Sequence, residues 1–180
     1  MMDLLFIIIL IIICLCALLI LSYIINYNKI QKYTVRINEA ECEIDETLRK
    51  RYDTLVSMEN IINDKTDLTQ NNFSSFKSDK MTNFEIDRKL TKITETLNKI
   101  HMDYSDELNI EAYRNLLVDL KINEEKCDAS KSYYNKYTTD LNMLIKKFPT
   151  NIIAKFHGVK ERLYFDNKIM NDENIIDFKL

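Results

Sequence analysis

The stretch 146-KKFPTNIIAKFHG-158 contains the only proline and the only glycine of the 180-residue chain, Pro149 and Gly158. These two residue types interrupt helices most often, so their absence elsewhere allows long helices in the rest of the chain. The position of the stretch therefore indicates a mostly helical chain with one sharp corner near its C-terminus.

The corner itself predicts a short helix between the two breakers. Pro149 prevents the preceding helix from continuing, Thr150 is placed to cap the next helix, and Gly158 is placed to close it in a left-handed conformation. After the corner we expect one last helical turn at residues 163–165. The side chains of the short helix that we expect to close the core are Ile152, Ile153 and Phe156.

The N-terminal run 4-LLFIIILIIICLCALLILSYII-25 has 22 residues and no charge. As a helix it spans about 33 Å, enough for a hydrocarbon core of about 30 Å. Its apolar side chains favour insertion by about 5–10 kcal/mol. A cleaved signal peptide is the alternative, but it has a basic residue before a shorter run and small residues at the cut, which this sequence lacks. The run predicts an uncleaved transmembrane anchor over 4–25.

The charges beside this run predict its orientation. No lysine or arginine precedes the run, whereas Lys29, Lys32 and Arg36 follow it closely. Positive residues favour the cytoplasmic side, so we expect the N-terminus outside the cell and the rest of the chain in the cytoplasm. Cys42 and Cys127 are the only cysteines outside the run, which suits a reducing compartment.

Three helical stripes follow the anchor, and they indicate a bundle over 26–166. With no breaker after the anchor, the first helix is expected to run from about Leu4 to about Asn63, where Ile30, Ile37 and Ile44 recur every seven residues. Residues 64–82 read as a polar, flexible loop and residues 167–180 as a flexible tail. The second helix has a capping box at Thr82 and Glu85. Its apolar stripe consists of Ile86, Leu90, Ile93, Leu97, Ile100 and Tyr104.

The third helix is predicted to begin at a cap residue, Asn109, with Leu108 and Tyr113 as a hydrophobic staple. Its seam repeats every seven residues and consists of Tyr113, Leu120, Cys127, Tyr134, Leu141 and Phe148. Stripes of this kind are buried by packing against one another. The predicted fold is all-α: an N-terminal transmembrane helix that continues into an antiparallel bundle of three long helices, followed by a short C-terminal helix.

The composition argues against several classes of function. The chain has 25 Lys and Arg against 28 Asp and Glu, so it lacks the strong positive electrostatic field that attracts nucleic acid. The residues three positions before His101 and His157 are Asn98 and Ala154, so the Glu-x-x-His motif of di-iron bundles is absent. One glycine cannot build a phosphate-binding loop. We therefore expect no catalytic residue, no metal ligand and no cofactor.

Several short motifs follow the anchor in order: a Tyr-Asn pair, an Ile-Asp pair, an Arg-Tyr-Asp run, a second Tyr-Asn pair and a Phe-Pro-x-Asn corner. Their positions are Tyr27, Asn28, Ile44, Asp45, Arg51, Tyr52, Asp53, Tyr134, Asn135, Phe148, Pro149 and Asn151. Together these motifs resemble the LemA family of membrane-anchored helical proteins. The resemblance covers about 27–63 and 109–166, and the departures at Glu41 and Val56 indicate a divergent member. It implies a helical bundle on a single-pass anchor and no catalytic activity.

The anchor and the helical stripes favour a non-catalytic interaction module or scaffold at the cell membrane, whose partners are the lipid bilayer and a membrane or cytosolic protein. The alternative is a self-assembling structural protein, with Ile30, Ile37 and Ile44 as a seam between copies. A metal-dependent or hydrolytic enzyme is the weakest hypothesis.

The pairs Tyr52-Asp53 and Tyr134-Asn135 are interpreted as polar contacts that fix the register of helices one and three, with a docking surface as the alternative.

Overall fold

The computed structural model describes residues 2–74, 76 and 81–166, and within those ranges it is helical with no strand. The helices are α1 (Met2–Lys65), α2 (Asn83–Asp103), α3 (Glu111–Lys146) and α4 (Thr150–Phe156). The all-α prediction is confirmed, and α1 exceeds its predicted bounds by two residues at each end. The predicted tail 167–180 lies outside the described residues.

The first part of α1 carries an exposed apolar surface. From Leu4 to Ile25 its large apolar side chains are 40–67% exposed, a surface that is unfavourable in water. Among the described residues, α1 is the one helix that is long and apolar enough to cross a membrane. The predicted anchor thus coincides with a helical segment whose side chains contact little else in the chain.

The described chain packs as two compact units. The first unit combines residues up to Asn38 with Asn135–Tyr164, and the second contains Glu39–Tyr134 together with Phe165. Both α1 and α3 contribute to each unit. In the first unit Ile30 and Ile37 are at most 1% exposed, and in the second Ile44 is 1% exposed. These three side chains are covered by their own chain, so the seam proposed between copies is not available.

The second unit is held by one apolar core. Its fully buried members come from all three long helices and from Leu108 between α2 and α3, and Tyr113 is the largest of them. Burial raises the pKa of Tyr113 to about 12, so its hydroxyl stays protonated at physiological pH. The buried members of this core are Ile44, Leu48, Leu55, Met58, Ile62, Leu90, Ile93, Leu97, Leu108, Tyr113, Leu120 and Cys127.

Pairs of contacts give the helix directions in this unit. Lys131 of α3 meets Asp87 near the start of α2, whereas Tyr113 near the start of α3 stacks on His101 near the end of α2. The residue numbers of the contact partners fall along α3 as they rise along α2, so α2 and α3 are antiparallel. The expected antiparallel packing is confirmed for this pair.

Residues 66–74 return along α1, so α2 starts beside Arg51 of α1 and runs in the same direction as α1. Asn63 of α1 exchanges hydrogen bonds with Gln70, and the Glu59 carboxylate accepts from the backbone N–H of Asn72 at 2.7 Å. Phe73 and Phe76 then pack on Tyr52, with ring centroids 5.0 and 4.9 Å away. Individual side-chain contacts hold this segment, rather than one continuous apolar stripe. Its sequence therefore shows neither helical nor strand periodicity.

The predicted capping box of α2 is confirmed. The Glu85 carboxylate accepts from the backbone N–H of Thr82 at 2.8 Å, and the Glu85 N–H donates to the Thr82 hydroxyl at 3.3 Å. These hydrogen bonds lower the pKa of Glu85. In α3 the first helical bond runs from the Arg114 N–H to the Ile110 carbonyl. Asn109 thus lies one residue before the cap position, because half-buried Ile110 packs on the core there.

The corner differs in part from its prediction. Pro149 occupies the cap position of α4, and Thr150 is instead buried, where its hydroxyl donates to Asn26 Oδ1 at 2.8 Å. Gly158 has a φ of +65°, as predicted. Its N–H donates to the Lys155 carbonyl and the next N–H donates to the Ala154 carbonyl. This pair of bonds is a Schellman motif, which requires the left-handed residue that glycine provides.

Several apolar residues near the corner lie on its surface, contrary to expectation. Phe148, Ile152 and Phe156 are 79%, 59% and 81% exposed, so of the three residues of the short helix that were expected to close the core only Ile153 is buried. The reason is geometric: the buried residues Thr150, Ile153 and Ala154 share one face of α4, and Ile152 and Phe156 lie on the opposite face.

Residues 159–164 after the corner have no regular secondary structure and residues 165–166 form a turn, so the helical turn expected at 163–165 is absent. The Asn142 side chain holds this segment by accepting from the Arg162 N–H at 2.9 Å and donating to the Arg162 carbonyl at 2.8 Å. The Tyr164 hydroxyl lies 3.0 Å from the Thr139 hydroxyl. These side-chain bonds satisfy the backbone of the segment without a helix.

Candidate functional site

A buried polar cluster connects the three helices of the second unit. The Arg51 side chain of α1 is 6% exposed, with one terminal nitrogen 3.1 Å from Asp87 Oδ1 of α2 and the other 2.8 Å from Glu124 Oε1 of α3. The Thr91 and Thr94 hydroxyls accept from the guanidinium at 3.3 and 3.2 Å. One planar guanidinium thus satisfies groups on two neighbouring helices.

Lys131 completes this Arg51 cluster. Its ammonium lies 2.8 Å from Asp87 Oδ2 and 2.8 Å from Asp128 Oδ1. Burial alone would lower the pKa of Lys131, but the hydrogen bonds to Asp128 and Asp87 outweigh it and raise the pKa above its usual value. The cluster therefore pairs the buried Arg51 and Asp87 with opposite charges on neighbouring helices, and Asp128 at its edge is 75% exposed.

A surface groove lies beside this cluster, between residues 45–53 of α1 and the start of α2. Its volume is about 660 Å³, within the range of ligand-binding clefts. Three of its lining residues occupy the family-motif positions Asp45, Tyr52 and Asp53. We call this feature the α1–α2 groove, and its other lining residues are Leu48, Arg49, Phe76, Met81, Asn83 and Ile86.

The groove combines an apolar floor with carboxylates. Phe76 packs on Tyr52, and Leu48 is buried at its base. Asp45 accepts from the Arg49 guanidinium at 3.0 Å, which neutralises it. The exposed Asp53 carboxylate makes no ion pair within residues 2–74, 76 and 81–166. Among the described residues the groove therefore presents the Asp53 carboxylate, without an ion-pair partner, beside aromatic and aliphatic surface, with the Lys89 ammonium 5.8 Å from the Phe76 ring centroid.

The family-motif residues do not form one site. Tyr27 lies in the first unit, where it stacks on Tyr23 with ring centroids 6.1 Å apart, and Asn28 is exposed. Ile44 and Tyr134 pack into the core of the second unit. Arg51 forms the buried cluster, whereas Asp45, Tyr52 and Asp53 line the groove. The remaining positions, in the first unit, are Asn135, Phe148, Pro149 and Asn151.

The register-fixing role suggested for the pairs Tyr52-Asp53 and Tyr134-Asn135 stays a prediction, and beside those pairs Arg51 joins three helices through ion pairs. Its carboxylate partners, Asp87 and Glu124, were not singled out by sequence reasoning. One feature of the sequence could have identified Asp87. With Thr91 and Thr94 it recurs at helical spacing and forms a polar line beside the apolar stripe of α2. Nothing comparable marks Glu124, which lies in the acidic and basic stretch NEEK of α3.

The histidines and cysteines are dispersed. His101 stacks on Tyr113 in the second unit, and His157 of the first unit lies 2.7 Å from the Tyr23 hydroxyl through its Nε2. Burial raises the pKa of the Cys127 thiol, which disfavours the reactive thiolate. In the part of the chain that the structure describes, no group of three or more His, Cys, Asp or Glu residues is arranged to hold a metal ion.

Comparison with known proteins places this chain in a family. The sequence model of the LemA family matches residues 40–178, which is more than half of the chain and includes the 64–108 region where the motifs are weak. Comparison with curated proteins and with solved structures gave no significant match. With its exposed apolar helix and its helical units, the chain belongs to the LemA family and is a membrane-associated helical protein.

Proposed function

We propose that this protein is a single-pass, membrane-anchored interaction module without catalytic activity, and that the α1–α2 groove binds a segment of another protein. The observation that carries the proposal is the groove itself, in which Asp45, Tyr52 and Asp53 surround an apolar floor. Aromatic side chains at the centre and charged groups at the edge are typical of protein-binding sites.

The chemistry of the groove indicates the kind of segment that it binds. The Asp53 carboxylate favours a lysine or arginine, and the surface of Tyr52 and Phe76 favours an apolar side chain next to it. The partner segment therefore carries a basic residue beside an apolar one.

Substitution of Asp53 tests the groove. Asp53→Lys places a positive charge against the expected basic residue, so capture of the partner should fall by at least about tenfold. The measurement uses a photo-crosslinker at groove residue Asn83 in the full-length chain, in native membranes, followed by quantitative mass spectrometry. Because Asp53 is exposed, the substitution should leave the fold unchanged.

Asp119→Lys is the matched control, since Asp119 is an exposed carboxylate of α3 that does not line the groove. The proposal requires capture that is lost with Asp53→Lys and retained with Asp119→Lys. Equal capture by both variants contradicts the groove as the binding site. Crosslinks to a second copy of the chain would favour the self-assembling alternative instead.

The proposed orientation places the N-terminus outside and the helical units in the cytoplasm, supported by Lys29, Lys32 and Arg36 after the apolar run. The exposed thiol of Cys42 reports the side on which the second unit lies. A membrane-impermeant maleimide is expected to label it only after intact cells are permeabilised. Labelling at the same rate in intact and permeabilised cells would reverse the orientation. Cys42→Ser is the control for background labelling.

A further inference from the structure

The short helix α4 is fixed against the part of α1 where the apolar run ends. The Tyr23 hydroxyl lies 2.7 Å from His157 Nε2, and the rings of Tyr27 and His157 are 4.7 Å apart. At the other end of α4, the Thr150 hydroxyl donates to Asn26 Oδ1 at 2.8 Å. All of these contacts lie within the first unit.

These contacts define the depth of α4 relative to the anchor. Ile25 is the last residue of the apolar run, and the contacted residues Tyr23 and Tyr27 are two positions to either side. At 1.5 Å per residue, both lie within about 3 Å of Ile25 along the helix axis. If the run spans a bilayer, α4 is therefore at the level where the hydrocarbon ends and the headgroups begin.

At this level the corner presents apolar side chains outward. Phe148, Ile152 and Phe156 are 59–81% exposed, and the face of α4 opposite to them is buried against its own unit. Lys147 and Lys155, which precede Phe148 and Phe156 in the sequence, are also exposed. Large apolar side chains next to lysines are the composition of surfaces that lie in the interface of an anionic membrane.

We propose that α4 and the preceding Phe148 lie in the headgroup and acyl boundary of the same bilayer that holds the anchor, with Phe148, Ile152 and Phe156 as the lipid-contacting side chains. The inference rests on the proposed single-pass anchor. Lipid is the occupant because the hydrogen bonds of α4 to Asn26 and Tyr23 hold it at the end of the apolar run. The corner thereby becomes a second membrane contact, which orients the first unit on the membrane.

A tryptophan introduced at position 156 measures the depth of this contact, because the natural chain contains no tryptophan. The full-length Phe156→Trp chain is reconstituted in vesicles of phosphatidylcholine and phosphatidylglycerol at about one chain per vesicle. The inference predicts a blue-shifted emission. It also predicts quenching by phosphatidylcholine brominated on its acyl chains that is several-fold stronger than in the control.

The control is Val35→Trp. Val35 is 51% exposed and belongs to the same unit, but it lies ten residues beyond Ile25, or about 15 Å along α1. Its indole should be quenched by aqueous iodide and hardly by the brominated lipid. Both positions are exposed, so neither substitution should disturb the fold, which circular dichroism verifies.

The outcomes separate the inference from the proposed anchor. If the vesicles carry the chain but the Phe156→Trp indole is quenched by iodide as in the control, α4 lies in water and the inference is wrong. If that indole is blue-shifted yet insensitive to both quenchers, protein covers it, which also contradicts the inference. A chain that does not float with the vesicles overturns the anchor, and the inference with it.

Discussion

Arg51→Ala is expected to lower the free energy of unfolding by about 3 kcal/mol, because it leaves the carboxylates of Asp87 and Glu124 without their guanidinium. Asp87 is 13% exposed and Glu124 is 35% exposed, so Asp87 accounts for most of the loss. Asp87 retains the ammonium of Lys131 at 2.8 Å, which keeps the loss near the lower end of the range for a broken buried ion pair. Urea denaturation of the full-length chain in mild detergent, followed by circular dichroism, measures the change.

Arg49→Ala is the matched control for this result. Arg49 is two residues away on the same helix and pairs with Asp45, but its side chain is 78% exposed. Water and salt screen such a pair, so the loss should be at most about 0.5 kcal/mol. If the two variants lose the same stability, the Arg51 cluster does not hold the three helices together. Where Arg51→Ala fails to fold, Arg51→Lys preserves the charge and should still be less stable, because an ammonium lacks the guanidinium fork.

The double variant Leu10→Arg/Ile13→Arg is expected to abolish membrane association. Each arginine near the centre of the bilayer costs about 2.5–3.5 kcal/mol, and each lost apolar side chain removes about 0.5 kcal/mol more. The sum, about 6–8 kcal/mol, is comparable with the whole insertion gain of the 4–25 run. Flotation of the variant through a density gradient with its membranes measures the association, because aggregated protein sediments rather than floats.

Val35→Arg is the control for the anchor. This residue is 51% exposed on the same helix but lies outside the apolar run, so its substitution should leave flotation unchanged. A double variant that floats as completely as the natural chain would show that residues 4–25 are not the anchor. Loss of flotation in both variants would indicate that a change in overall charge, rather than the apolar run, is responsible.

Local patterns predicted much of the fold correctly. The capping box of Thr82 and Glu85 depends on residues three positions apart, and the left-handed Gly158 depends on its own missing side chain. The extent of α1 follows from the absence of breakers. Each of these features is determined by neighbours in the sequence, so the sequence contains all the information that they require.

The groove and the buried cluster required the tertiary structure. Tyr52 and Asp53 were recognisable as motif positions, but their place in a groove depends on Phe76, more than twenty residues later. Arg51 reaches Asp87 and Glu124, which lie on two other helices. Charged residues recur at the same helical spacing whether they lie on a solvated face or in a buried cluster. The spacing in the sequence therefore could not show which of these two settings Arg51 occupies.

By itself, the sequence determined which segments are helical, where the apolar run lies, and where the chain turns, since propensity, hydropathy and helix breakers act over a few residues. Only the tertiary structure decided that residues 66–74 return along α1, so that α2 runs in the direction of α1, and that Phe148, Ile152 and Phe156 lie on the surface. The physical reason is that a helix has several faces, and which face becomes buried depends on the helices that pack against it.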